Sequence, residues 1–337
     1  MYIQDQVSLG ELDDEHLSFF RAIGVDSIHL ELRGGAPQAG RRSGTGSANS
    51  TLAQDLKAGK DCTEALEQAR EKVEAHGMQL NNIFMPAWEE IALAEADMDE
   101  KIGHWCAMLE SVGKAGIPCV GWNFKPMGNF RTAADVGRGG VRYSTFDYAE
   151  FEMNRPAPHE PPVDEAQMWE RMEQFLQAAV PAAEKAGVVM ALHPDDPPIP
   201  EPLGGVAQIC STLEQFRKTF FEIAPSEHNC MLFCQGCMTE LLGPEGVYGA
   251  IAEMASKGKI AWVHFRNVRG RLPRFTEVFM DEGEVDMRRA MEVYRDNGFV
   301  GPYMMDHTPS FAHGYGAYYG KAYAIGYIRA LIQMVYG

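Results

Sequence analysis

Short apolar or β-branched runs recur along the chain, and between them lie stretches whose apolar residues return every three or four positions. The short runs are "MYIQ" at 1–4, "DSIHLEL" at 26–32, "LNNIFM" at 80–85 and "PCVGWNF" at 118–124. They continue with "VVMALH" at 188–193, "NCMLFC" at 229–234, "IAWVHFRN" at 260–267 and "PYMMDH" at 302–307. Each has the length of a buried strand. The stretches "DCTEALEQAREKVEAHG", "MDEKIGHWCAMLESVGKAG" and "QMWERMEQFLQAAVPAAEKAG" carry helical spacing, and the last two end in Ala-Gly, where a helix stops. Strands alternating with helices predict βαβ units on a parallel sheet. Eight such strands, with "GKAYAIGYIRALIQMVYG" as a closing helix, predict a (β/α)8 TIM barrel that takes up residues 1–337 as a single α/β domain. The rival is an open doubly wound sheet. It calls for a phosphate-binding glycine loop after the first strand, and no G-x-G-x-x-G follows "MYIQ".

Two segments break the alternation. Residues 34–55, "GGAPQAGRRSGTGSANSTLAQD", are rich in Gly and Ser and read as a flexible loop; residues 127–165 read as a long connection. Long loops at the C-terminal ends of barrel strands build or cover active sites.

Charge narrows the partners more than the fold. The net charge of −17 argues against a nucleic-acid or anionic-membrane partner, because a phosphate surface needs a basic face. A small anionic substrate remains admissible, since one arginine or a metal ion can hold it. No apolar run approaches the roughly 20 residues that span a bilayer, and the acidic opening "MYIQDQVSLGELDDEHL" does not read as a secretory leader. Seven scattered cysteines suit reduced thiols in a cytoplasmic protein better than a disulfide framework. Cys234 and Cys237 form a lone C-x-x-C, with no second pair to complete a zinc knuckle.

Four of the predicted strands finish on residue types that bind metals: His193, Cys234, His264 and Asp306. In a parallel barrel the C-terminal strand ends converge on one rim. Imidazole, thiolate and carboxylate brought together there make a divalent-cation site. Singly, each could be a structural histidine or a core cysteine; four at equivalent strand ends favour the metal.

The motifs "HPDDPP", "HFRNV", "RFTEVFMDEGEVDM" and "DH" followed by "HGYGAYYGKAYAIGYIRAL", together with "WNFKPMGNFRT", resemble the mannonate dehydratase family of xylose-isomerase-like barrels. The likeness runs in order from the strand at 118–124 to the C-terminus, about two thirds of the chain. It implies a divalent ion on His193, Cys234, His264 and Asp306, with manganese first and zinc, iron(II) or magnesium as alternatives. Donor softness alone would favour zinc. It also implies removal of water from D-mannonate to give 2-keto-3-deoxygluconate. A cation would stand beside the developing enediolate, and a general acid would assist the departing C3 hydroxyl. His307 resembles the family's catalytic histidine, and Tyr315 matches the tyrosine of its Pro-Gly-Tyr segment. These two take the proton transfers, with base and acid undivided. Arg266, Asn267, Asn123 and Arg131 are candidate substrate contacts, with salt-bridged strand ends as the competing role. Asp195 and Asp196 either orient His193 or belong to an ordinary Asp-Pro turn.

The departures from the family pattern bear on substrate. "MMDHTP" lacks the Arg-Pro before and the Gly after the last ligand pair, Trp88 stands where the family has a histidine, and His313 replaces the Pro of Pro-Gly-Tyr. Intact ligands with altered surroundings point to a divergent member acting on mannonate or a related sugar acid. Two alternatives stand behind it: a metal-dependent sugar or keto-sugar isomerase or epimerase, and a non-catalytic, metal-stabilised sugar-binding barrel. Self-association into a homo-oligomer is left open.

Overall fold

The computed structural model describes residues 1–32, 51–311 and 316–337. Among them, eight parallel strands close a barrel: β1 (Ile3–Ser8), β2 (Ser27–Glu31), β3 (Gln79–Phe84), β4 (Cys119–Trp122), β5 (Val189–Leu192), β6 (Asn229–Cys234), β7 (Ile260–His264) and β8 (Tyr303–Met304). The wall runs β1-β8-β7-β6-β5-β4-β3-β2. Every predicted strand run supplies one stave. Register puts His264 directly opposite Cys234 on one side and Met304 on the other. The rim positions of β6, β7 and β8 are therefore level.

The helices follow from their caps. In Glu165–Ala186, Asp164 accepts the N–H of Gln167 while the Gln167 side chain accepts the N–H of Asp164; the helix ends at Gly187, whose φ of 68° suits glycine. Its buried face packs Phe175 against Trp105 and Trp122, with ring centroids 5.2 Å apart in both pairs. Trp88 stands edge-on to Trp105 at 5.3 Å and is buried, so that position serves the core between barrel and helices. Inside the barrel, Trp262 fills the cross-section together with Leu232, Ala191 and Met304. Gly121 makes room for it: a Cβ there would lie 2.6 Å from the Trp262 ring. No described helix is long and apolar enough to cross a membrane, and all seven cysteines are free thiols.

Two expectations are corrected. The run at 260–267 is not one strand: β7 stops at His264, and Asn267–Arg271 pairs antiparallel with Arg274–Val278 in a separate hairpin. Its cause is the polar pair Arg266 and Asn267, whose side chains are anchored away from the barrel wall (below). Nor is 127–165 a plain connection. It contributes Thr145–Asp147, which extends that hairpin to a three-stranded sheet, a short ribbon of Asp135–Val136 with Arg142–Tyr143, and the helix Tyr148–Met153. Residues 51–55 of the predicted loop open the helix Thr51–Lys57, and the remainder of that loop lies outside the described residues.

Candidate active site

The rim brings the four strand-end residues together. Ligand atoms of Cys234, His264 and Asp306 lie within 4.8 Å of one another, as do those of His193, Cys234 and Cys237. The rings of His193 and His264 are 5.3 Å apart. Asp306 holds a positive φ of 67°, a left-handed conformation that ends β8 and that Asp tolerates better than most residues.

The protonation of three of the four donors suits a cation; the fourth, His264, is raised against burial by Asp306 and then by the Cys234 thiolate, so it must shed a proton to bind one. Nδ1 of His193 lies 2.6 Å from the Pro194 carbonyl oxygen, so this nitrogen carries the hydrogen and Nε2 keeps its lone pair. Burial and the Lys125 ammonium push the His193 pKa down, which keeps the ring neutral. Burial works against the Cys234 thiolate. The Cys237 S–H and the Arg266 guanidinium nevertheless pull it well below the ordinary thiol range. Asp306 is lowered too, with burial opposed by His264 and His307.

His264 supplies the most direct test of fit. Both of its ring nitrogens are buried and neither makes a well-formed hydrogen bond: Nδ1 faces the Asp306 carboxylate at 3.5 Å, and the Cys234 thiolate lies beside the ring. A buried polar atom left unpaired costs about 1–3 kcal/mol. A metal–nitrogen bond would remove that cost for one of the two. Charge points the same way. The buried Asp196, Glu240, Glu277 and Cys234 thiolate and the partly buried Asp306 face the guanidinium groups of Arg131 and Arg266 and the Lys125 ammonium. A divalent ion brings this cluster close to neutrality. Burial also raises the Glu240 carboxyl to about 8, which trims the remaining negative charge.

Arg266 sits at the centre of the cluster, on the turn just after β7. It donates to Glu240 at 2.8 Å, to the Asp306 carboxylate at 3.1 Å and to the Cys237 sulfur at 3.3 Å. Arg131, carried by the loop after β4, donates to Asp196 at 2.7 Å, to Ser144 at 2.9 Å and to Glu277. Both arginines are near the ligands, yet carboxylates hold their guanidinium groups. For Arg266 these ion pairs match the competing role named from sequence, the salt-bridged strand end. Asn267 departs further from a substrate contact. Its amide donates to the Met280 and Val285 carbonyls and its Oδ1 accepts from the Val268 and Val285 N–H groups, so it locks the loop beyond the hairpin. Asn123 stands at the mouth end of β4 and makes no side-chain hydrogen bond among the described residues, so it stays available to a ligand. Asp195 accepts from the Cys210 N–H and the Ser211 hydroxyl and braces its own loop, while Asp196 belongs to the arginine cluster.

His307 follows Asp306 and is a third exposed. Its Nε2 lies 3.2 Å from Glu277 and 3.4 Å from Asp306. Tyr315 and His313 fall outside the described residues. Three members of the site escaped the sequence reading. Cys237 and Glu240 stand three and six residues after Cys234 at the start of a helix, a spacing that places all three on one face and was legible. Glu277 gave no such sign, because its burial depends on the three-stranded sheet.

A family profile described as D-mannonate dehydratase (UxuA) matches residues 159–336, more than half of the chain. A mannonate dehydratase of Streptococcus pneumoniae is 27% identical over 306 residues, covering 80% of this chain and 82% of the relative. The crystal structure of mannonate dehydratase from Streptococcus suis serotype 2 superimposes with a TM-score of 0.81 at 23% identity, over 99% of this chain and 93% of its own. D-psicose 3-epimerase from Clostridium cellulolyticum H10 gives a TM-score of 0.61 at 12% identity, over 98% and 99% respectively.

Proposed function

The chain belongs to the D-mannonate dehydratase family, and on that premise we propose that it is a metal-dependent hydro-lyase converting D-mannonate, or a close sugar-acid analogue, into the 2-keto-3-deoxy acid and water. The observation that carries the reading is the rim cluster. A thiolate, a carboxylate and a buried imidazole that lacks a well-formed hydrogen bond converge beside a partly exposed histidine.

His193, Cys234, His264 and Asp306 are the residues that would hold the ion, with manganese the first to test. When bound, a divalent cation supplies positive charge beside the substrate carboxylate and its developing enediolate. The remaining work falls to side chains. The C2 proton must leave and the C3 hydroxyl must depart with a proton, so one group accepts hydrogen and one delivers it. His307 stands at the mouth, next to a ligand, and takes one of these transfers; Tyr315 takes the other by the family pattern. Asn123 is placed to bind a substrate hydroxyl. The enol left after water departs becomes the 2-keto acid by losing its C2 hydroxyl proton and gaining one at C3. We place the protein in the cytoplasm, acting on a small soluble acid.

The likeness to the epimerase reaches the barrel and no further, which leaves the dehydratase reading ahead. The test is direct. Purified protein loaded with manganese is incubated with D-mannonate and the products are examined for a 2-keto-3-deoxy acid that is one water lighter. Product formation that His307→Ala abolishes is expected. A folded, metal-loaded sample that yields none overturns the reading.

A further inference from the structure

We propose that Glu277 is the positioning residue for His307, fixing the ring from the hairpin that covers the barrel mouth. The inference rests on the reading of His307 as a proton-transfer group. Glu277 lies on Arg274–Val278, the middle strand of the three-stranded sheet, and its N–H donates to the Ser144 carbonyl at 2.8 Å. That is a firm platform, and its side chain is only 4% exposed.

The two oxygens of this carboxylate have different surroundings. Oε1 accepts from Arg131 and stands 3.4 Å from Arg266, so two guanidinium groups from the loops after β4 and β7 prevent the carboxylate from turning. Oε2 has no hydrogen-bond partner among the described residues, and the Nε2 of His307 is 3.2 Å away. A buried carboxyl oxygen with no other donor is a strong attractor for an imidazole N–H. His307 needs such a partner. Its side chain is 33% exposed, and its backbone leaves a left-handed residue, so packing alone does not set its ring plane. With Nε2 engaged by Glu277, Nδ1 is the nitrogen left for substrate. General acid–base groups contribute roughly 10²- to 10⁴-fold only when held within hydrogen-bond reach, so a residue that sets the ring plane belongs to the reaction without touching the substrate.

Two measurements test this. In protein labelled with ¹⁵N-histidine and loaded with diamagnetic zinc, the His307 resonances (assigned by their loss in His307→Gln) are expected to show a proton on Nε2. In Glu277→Gln, Arg131 and Arg266 keep the side-chain oxygen, so the amide NH₂ turns toward His307 and the ring proton moves to Nδ1. A parent protein whose Nε2 is bare overturns the proposal, and this arm needs neither activity nor a folded Glu277 variant. In the second measurement, with manganese, Glu277→Gln is expected to lower kcat by about tenfold to a hundredfold while KM stays within about twofold and metal content is unchanged. A rise in KM at unchanged kcat overturns it in favour of a structural role for the hairpin. Should the parent fail to dehydrate D-mannonate, the substrate assignment falls while the resonance measurement still decides the Glu277–His307 contact.

Discussion

A single methyl group at Gly236 probes whether the arginine cluster is rigid. The glycine is the second residue of the helix that follows Cys234, and its φ is not left-handed, so alanine is compatible with the backbone. On helix propensity alone the change would stabilise by about 1 kcal/mol. The structure forecasts the opposite. A Cβ would lie 2.3 Å from Cζ and Nη1 of Arg266 and 2.6 Å from Nε. Contacts of this kind settle near 3.5 Å, so the guanidinium must withdraw by about 1 Å. An arginine tip in solvent would simply swing aside. This one is 4% exposed and bonded to Glu240, Asp306 and Cys237. Weakening one or two charge-assisted bonds, each worth about 1.5–3 kcal/mol, outweighs the helical gain. Gly236→Ala is therefore expected to destabilise the metal-free protein by about 2–4 kcal/mol in urea unfolding. Because Arg266 also orients ligand Asp306, manganese affinity measured by calorimetry should fall roughly 10- to 100-fold. A variant as stable as the parent with unchanged affinity would refute the claim that Arg266 is pinned.

Other outcomes follow from the same contacts. Cys234→Ser replaces the central thiolate and should abolish stoichiometric metal retention, as read by elemental analysis after dialysis, with the barrel's circular dichroism intact. Asn267→Ala removes four hydrogen bonds to buried backbone groups; it should lower the unfolding free energy by about 2–4 kcal/mol in urea titration, while the folded fraction binds metal normally. Asp196 is held at about 2, with burial opposed by Arg131 and then Arg266. A depressed carboxylate stabilises the fold above its unfolded value and loses that contribution as pH falls toward the folded value. Parent stability should thus drop between roughly pH 4 and pH 2, and Asp196→Asn should flatten that slope in acid-titrated unfolding.

The barrel was legible because most staves are short runs rich in apolar residues, and β5, β6 and β7 end on or just before metal-binding residue types. Level register carries Cys234 and His264 to one rim, and the turn after β5 brings His193 beside them. The roles of Arg266 and Asn267 were not legible. Side by side in "HFRN", both look like polar tips of a strand. What separates them is tertiary: carboxylates from a helix, a strand of the three-stranded sheet and the turn after β8 capture one, and a backbone loop at 280–285 captures the other. Glu277 stayed hidden for a related reason. "RFTEV" alternates like any solvent-washed ribbon, and only its pairing with Thr145–Asp147, well over a hundred residues earlier, turns that carboxylate inward.

The left-handed turn at Asp306 constrains how this rim could be retooled. A replacement ligand there has to satisfy two filters at once, a donor atom at the right reach and a tolerance for positive φ. Cysteine or glutamate would satisfy only the first, at about 1–2 kcal/mol of backbone strain. Asparagine and glycine satisfy the second, but one weakens the donor and the other deletes it. The three ligands on extended strand ends carry no such backbone toll. New metal preferences, whether reached by drift or by an engineer's library, therefore have easier routes through positions 193, 234 and 264. Position 306 would be the last of the four to change.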